Sequence, residues 1–327
     1  MPKTILLLLL SIQNFVSFSQ KITLVTSGSK TSLRGLSVVN NNIIWASGSN
    51  GTVAKSTNGG INWQWMKVTG FEKNDFRDIE AFDSNTAIIM CIASPAYILK
   101  TTDGGDSWKT VFIDTAKEMF LDAMYFKDDN NGIVIGDPIN NKTFIATTNN
   151  GGKTWLKQDS TTILANGEAF FASSGSNVLV NKNNTYFVSG GIKSKLYTNY
   201  TATEIPILQG LESTGANSIA IYKNNEIIVG GDFAKDTSTY QNCVLYNTKY
   251  KKISLPKNPP NGYRSCVTFI KKETAISCGL NGVDISYDAG KNWQLISKEG
   301  FNVVAKAKKG TAIFLAGGKG KIGVLRK

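Results

Sequence analysis

Thr101-Thr-Asp-Gly-Gly-Asp-Ser-Trp108 has three relatives in the same chain: Ser56-Thr-Asn-Gly-Gly-Ile-Asn-Trp63, Thr148-Asn-Asn-Gly-Gly-Lys-Thr-Trp155 and Ser286-Tyr-Asp-Ala-Gly-Lys-Asn-Trp293. In each, Ser or Thr leads, Asp or Asn comes two residues later, Gly four later and Trp seven later. The tryptophans are 45, 47 and 138 residues apart, so the last interval holds three periods. Two eroded copies are therefore expected near Tyr197 to Tyr200 and Tyr246 to Tyr250. The motif is a turn. Asp or Asn bonds its own downstream amides, Gly supplies the positive φ of a tight hairpin, and Trp packs its broad face on neighbouring strands. Asn58, Gly60, Trp63, Asp103, Gly105, Trp108, Asn150, Gly152, Trp155, Asp288, Gly290 and Trp293 are thus read as scaffold, with no catalytic or metal role.

An apolar strand precedes each turn and another follows it, and two more strands stand upstream. These pairs read Leu36 to Val39 with Ile43 to Ser47, Ile79 to Phe82 with Thr86 to Cys91, and Ala123 to Phe126 with Gly132 to Ile135. They continue with Ala169 to Ala172 and Thr185 to Val188, Ser218 to Tyr222 and Glu226 to Val229, Cys266 to Ile270 and Thr274 to Cys278, and Val303 to Ala307 and Thr311 to Ala316. No segment shows helical periodicity. Four-stranded units repeating at this interval make an all-β, seven-bladed β-propeller of WD40-like architecture. The seventh unit has only three strands before Lys327, and Lys21 to Thr26 lies one period ahead of the first box. The N-terminal strand is expected to complete that blade and close the ring, which removes an exposed edge.

Composition excludes much chemistry. The 327 residues contain no histidine, which removes the usual general base, the usual zinc and haem ligand, and every Ser-His or Cys-His pair. The four cysteines, at 91, 243, 266 and 278, form no C-x-x-C, so no metal site and no cofactor are expected. Cys266 and Cys278 face each other across a hairpin, as two free thiols or as a disulfide. Lys3, the apolar run Ile5 to Leu10, and Ser17 and Ser19 at the −3 and −1 spacing read as a secretory signal peptide, residues 1–19, cut before Gln20. Residues 20–327 then form a single domain, periplasmic or extracellular, with no membrane span. Net charge is +12, but the lysines are scattered, so no nucleic-acid partner is expected.

In a propeller, first strands start on the face where second strands end, and the boxes lie on the other face. Three of only four arginines fall at first-strand starts: Arg34, Arg77 and Arg264. Asp78, Asp122 and Glu168 follow in blades two to four, and Asp137 and Asp232 stand at second-strand ends. Arginine forks suit carboxylates or phosphates, so this channel mouth is the candidate site. The arginines and acids bind a partner there or tie blades together.

The order Arg34-Gly-Leu-Ser-Val-Val39, Trp45-Ala-Ser-Gly-Ser-Asn-Gly-Thr-Val53 and then the box resembles the photosystem II stability/assembly factor-like family of Asp-box (BNR-repeat) proteins. Gly136-Asp-Pro138 and Tyr263-Arg-Ser-Cys-Val267 are similar to its secreted bacterial relatives. The resemblance implies a monomeric assembly scaffold without enzymatic chemistry, using an arginine patch on one propeller face for a protein partner or an anionic or carbohydrate ligand. Asp-box propellers also include sialidases and other glycoside hydrolases, which use an arginine triad, a tyrosine nucleophile and carboxylates. In that alternative Asp78, Asp122, Asp137, Glu168 and Tyr263 supply the chemistry. No dinucleotide or flavin motif supports an oxidoreductase.

Overall fold

In the computed structural model, which describes residues 20–26 and 30–326, the four boxes form one turn. The leading hydroxyl accepts the N–H of the glycine four residues on, at 2.9 Å in Ser56 and Ser286 and 3.0 Å in Thr101 and Thr148. It donates to the Asp or Asn two residues on. That side chain accepts the N–H four residues beyond itself, from Asn62, Ser107, Thr154 or Asn292. Three or more hydrogen bonds therefore close each turn from within.

The second glycine has a further reason. It sits at φ 82° in Gly60, 96° in Gly105, 72° in Gly152 and 90° in Gly290. A Cβ there would meet the preceding blade, at Phe314, Met66, Ile88 or Leu245 respectively. Lys55 and Lys100 donate at 2.6 Å to Gly104 and Gly151, carbonyls in the next blade's box. Trp63 packs edge-on against Phe314, and Trp108 against Trp45, each at 6.5 Å. The box is thus a joint between consecutive blades as well as a hairpin. Gly105→Ala is expected to destabilise by about 2 kcal/mol, from the positive φ and the Met66 contact together. A urea midpoint equal to that of the parent protein would contradict this.

Seven four-stranded antiparallel units follow in chain order at 33–67, 76–114, 121–157, 178–204, 214–254, 266–297 and 303–326, the last completed by Lys21–Thr26. Lys21–Thr26 pairs antiparallel with Ile322–Arg326 and forms the outermost strand of blade seven, so the ring is closed as expected. The eroded boxes lie where the period puts them. Thr198 to Thr201 is a tight turn with Asn199 and Tyr200 at positive φ, and Asn247 to Lys252 is a turn in which Asn247 accepts the Tyr250 N–H. Apolar clusters fill the spaces between neighbouring blades; one joins Ile22, Leu33, Ile44, Phe301 and Phe314 across the closure. Among the described residues no helix is long and apolar enough to cross a membrane. The expected signal peptide, residues 1–19, lies outside the described residues.

One strand differs from expectation. The first strand of blade four is Val178–Asn181, not Ala169 to Ala172. Its hairpin turns at Asn181 to Asn184, with Lys182 at φ 57°. The expected pair would have needed a twelve-residue connection. Glu168–Ala169 instead makes a two-residue ladder with Gly190–Gly191, which extends the blade-five sheet. Residues 170–177 are thereby released from the blade, and they decide the shape of the site.

Candidate binding site at the channel mouth

Four of the seven first strands open with an irregularity. The register shifts between Leu33 and Gly35, Phe76 and Asp78, Leu121 and Ala123, and Ala216 and Ser218. The extra residue of a β-bulge is left outside the ladder and re-aimed. Those residues are Arg34, Arg77, Asp122 and Asn217. Arg34, Arg77 and Asn217, with Ser265 and Asn302 of the last two blades, line a cup of about 440 Å³ at the mouth.

Arg264 is not one of them. Leu33, Leu121, Ala216 and Phe301 lie under the small residue that closes the second strand (Gly48, Gly136, Gly230 and Gly317), and Arg264 lies in the same way under Gly279. It therefore corresponds to Leu33, and Ser265 corresponds to Arg34. The expected equivalence of three arginines is off by one residue in blade six. Arg264 is wholly buried and paired with wholly buried Asp284. Its Nε donates to Asp284 Oδ2 at 2.6 Å, and its other nitrogens donate to Asn281 Oδ1 and to the carbonyls of Tyr263 and Asn261. Every hydrogen-bonding direction of the guanidinium is used inside the protein.

The channel is plugged. Residues 170–177 enter it from the mouth and touch the far side of the ring. The Ser173 carbonyl accepts from Arg34 of blade one, Ser174 Oγ donates at 2.7 Å to the Ser265 carbonyl of blade six, and Ser176 Oγ donates at 2.7 Å to Ser218 of blade five. A Cβ on Gly175, at φ 66°, would strike the Asp78 carboxyl of blade two. The plug divides the channel into the mouth cup and a lower cavity of about 410 Å³, lined by the first strands of all seven blades.

The plug also sorts the carboxylates. Asp78 lies on the lower side, accepting the N–H of Met124 at 2.7 Å and of Ile79 at 2.8 Å; burial still pushes its carboxyl well above the ordinary range. Asp122 is fully buried with no hydrogen-bond partner on either oxygen among the described residues, and burial, then the neighbouring Asp137, drives its carboxyl well up. Asp137 lines the mouth, accepts the Phe170 N–H at 3.0 Å and so anchors the plug; burial pushes it up to about 6. Glu168 is not at a first-strand start. Its buried carboxylate holds Lys195 at 2.7 Å, Tyr197, Ser189 and the Ala165 N–H inside blade four. Asp232 is buried and caps a short 3₁₀ turn through the Ala234 N–H at 2.9 Å. Of the five expected acids, only Asp137 faces the cup.

Of the cup's aromatic wall, sequence reading named Tyr263 and missed the four phenylalanines. Phe120, Phe170, Phe171, Phe233 and Tyr263 line it, with Phe233 edge-on to both Phe171 and Tyr263 at 6.2 and 6.3 Å. The turn capped by Asp232 carries Phe233 into place. The available signal was the Phe170-Phe171 pair ahead of the small Ala-Ser-Ser-Gly-Ser run, which no strand can use. Tyr263 Oη donates to Asn217 at 2.8 Å, and burial pushes the phenol up to about 12. A glycosidase needs two carboxyl groups flanking the scissile bond. With Asp78 below the plug, Asp122 buried and Glu168 tied inside blade four, the cup presents one.

Charge at the cup is uneven. Arg77 Nε pairs with Asp75 at 2.9 Å, and its guanidinium lies over the Phe120 ring at 5.9 Å. Arg34 has no ion pair among the described residues, and its one protein acceptor is the Ser173 carbonyl at 3.4 Å. Burial, then the adjacent Arg77, pulls its pKa down. A desolvated guanidinium beside a second one, with apolar walls, is arranged to accept an anion. The possible Cys266–Cys278 disulfide is not formed. The two residues are directly opposite in the ladder, and all four cysteines are buried free thiols.

No protein-family model matches the chain, and no curated protein matches it in sequence. Solved structures match it over nearly its whole length. One described as YCF48 bound to D1 peptide has a TM-score of 0.66 at 14% identity, covering 96% of each chain. YCF48 from Cyanidioschyzon merolae gives 0.65 at 16% identity, covering 94% of this chain and 99% of that one. The WD40 β-propeller domain of Doa1 gives 0.63 at 12% identity, covering 94% and 97%. At such identities the likeness is one of fold, a seven-bladed propeller of four-stranded blades.

Proposed function

We propose that the chain is an exported, non-enzymatic binding and assembly scaffold that seats an anionic group of a protein partner in the channel-mouth cup. Arg34 carries this reading: a partly buried guanidinium with no ion pair among the described residues, lining an aromatic pocket, with Arg77 and Asp75 close enough to act on its charge. A carboxylate from the partner would complete the hydrogen bonds Arg34 lacks, while apolar neighbours pack on Phe171, Phe233 and Phe170. The YCF48 propeller described with a D1 peptide makes a peptide a reasonable class of partner for this fold.

The test uses a capped peptide with one Glu between apolar residues and its Gln counterpart. The Glu peptide is expected to bind the parent protein and to lose roughly 10- to 100-fold in affinity in Arg34→Gln/Arg77→Gln, because a charge-assisted hydrogen bond contributes about 1.5–3 kcal/mol. Melting of that variant is expected to stay unchanged. Early melting would instead make the two arginines structural ties, and equal binding of the Glu and Gln peptides would end the anion reading.

A further inference from the structure

Two buried carboxyl groups carry no hydrogen-bond partner on either oxygen among the described residues: Asp122, beside the mouth, and Glu226, on the opposite face. Glu226 is 1% exposed. It pairs in the ladder with Tyr246. In the box-bearing blades the same position is Ile44, Ala87, Gly132 or Ala275, each opposite the leading box hydroxyl. The alignment rests on the next residue. Ile227 lies under the next blade's box glycine, Gly290, as Trp45 and Ile88 lie against Gly105 and Gly152. Blade five has thus lost its box hydroxyl, and the residue facing that hydroxyl's place is an unsatisfied acid instead of an apolar side chain.

The loss leaves a space. A cavity of about 470 Å³ opens between blades five and six on the box face, lined by Glu226, Leu245, Tyr246, Tyr250 and the box residues Asp288 and Ala289. Asp288 is already engaged by Ser286 and Asn292. Lys252 and Lys291, also on the lining, are exposed and make no ion pair with Glu226. A metal ion is a poor fit, since no cluster of three metal-ligating side chains exists among the described residues. The buried, unpartnered Glu226 carboxyl in a cavity whose lining includes Leu245, Tyr246 and Ala289 matches a single cationic head on a methylene chain.

We propose that this inter-blade cavity binds a primary alkylammonium group, with Glu226 as its counter-ion. Such a head comes from a lysine side chain of a protein or from a free amine. Burial without a partner pushes the Glu226 carboxyl up to about 7. Only the ionised form pairs with ammonium, so binding tightens as pH rises through neutrality. Lys252, Lys291, Glu273 and Asp288 are the other charged groups facing the cavity. The site is separate from the mouth cup and stands or falls independently of it.

The experiment is calorimetric titration at pH 8 with pentylammonium, with pentan-1-ol as the neutral match, against the parent protein, Glu226→Gln and Glu226→Leu. Pentylammonium is expected to bind the parent, and at least about tenfold more weakly the Gln variant, since the charge-assisted bond is lost. Both variants are expected to melt no earlier than the parent, because each removes a buried unpaired acid. A capped Ala-Lys-Ala peptide and 1,5-diaminopentane then separate the two sources of the head group. Amine binding that survives Glu226→Gln, or a folded parent protein that binds no pentylammonium, overturns the proposal. The same titration on Arg34→Gln/Arg77→Gln is expected to match the parent.

Discussion

Arg264→Met is expected to lower the stability of the protein by about 3–5 kcal/mol, the range for breaking a buried ion pair by removing one partner. Arg264 and Asp284 both have wholly buried side chains. Without the guanidinium, Asp284 keeps only the amides of Asn261, while the carbonyls of Tyr263 and Asn261 and the Asn281 side chain lose their donor. Arg264→Met/Asp284→Leu is expected to recover much of the loss, because an apolar pair carries no desolvation penalty. Urea unfolding of the two variants beside Arg34→Gln checks this. The contrast matters most: two arginines that look alike in the sequence should differ by several kcal/mol. A melt of Arg264→Met indistinguishable from that of Arg34→Gln would place Arg264 at the surface and refute the assigned register.

Removing residues 20–27 is expected to cost on the order of 3–5 kcal/mol, measured against the chain starting at Gln20. The segment supplies the whole outer strand of blade seven. Ile22, 9% exposed, packs in the same cluster as Phe301 and Val324, and Lys21 to Thr26 pairs with Ile322 to Arg326 along its length. Deletion would strip the hydrogen-bonding edge of Ile322–Arg326 and leave a ring whose last blade can peel away, so self-association should rise as well. Scanning calorimetry with light scattering reads both effects. If the truncated chain melts like its parent and stays monodisperse, closure by the leading strand contributes nothing.

Blade number and box geometry were legible because they are local and repeated. A hydroxyl, an Asp or Asn, a glycine and a tryptophan at fixed offsets close a turn whatever surrounds it. Even the two eroded boxes were placed by counting from Trp155 to Trp293. The register of Arg264 was legible too, by a different count. Leu33, Phe76, Leu121 and Arg264 each stand fifteen residues before the second-strand residue they lie against, Gly48, Cys91, Gly136 or Gly279. Aligning the arginines themselves hid that spacing. Because side chains alternate between faces, an error of one residue exchanges a channel-facing group for one between blades.

Glu168 lies away from its expected strand start, and Asp232, at a second-strand end as expected, does not face the cup, for another reason. Each lies beside an insertion, the 170–177 segment or the Phe233 turn, and nothing in either segment states where it travels. The plug closes through Arg34, Ser265, Ser218 and Asp78, which belong to four different blades. The unsatisfied Glu226 likewise becomes visible only when blade six leaves a gap against blade five.

The amino-acid order alone determined the seven-bladed ring, its all-β build and the turn chemistry of each box, since those rest on interactions within about eight residues or on a fixed repeat. Which acids reach the mouth, and that the channel is stopped, were decided only by tertiary structure. A one-residue bulge and an eight-residue insertion have no periodicity to betray them, and their consequences lie in contacts between residues as far apart as Ser174 and Ser265.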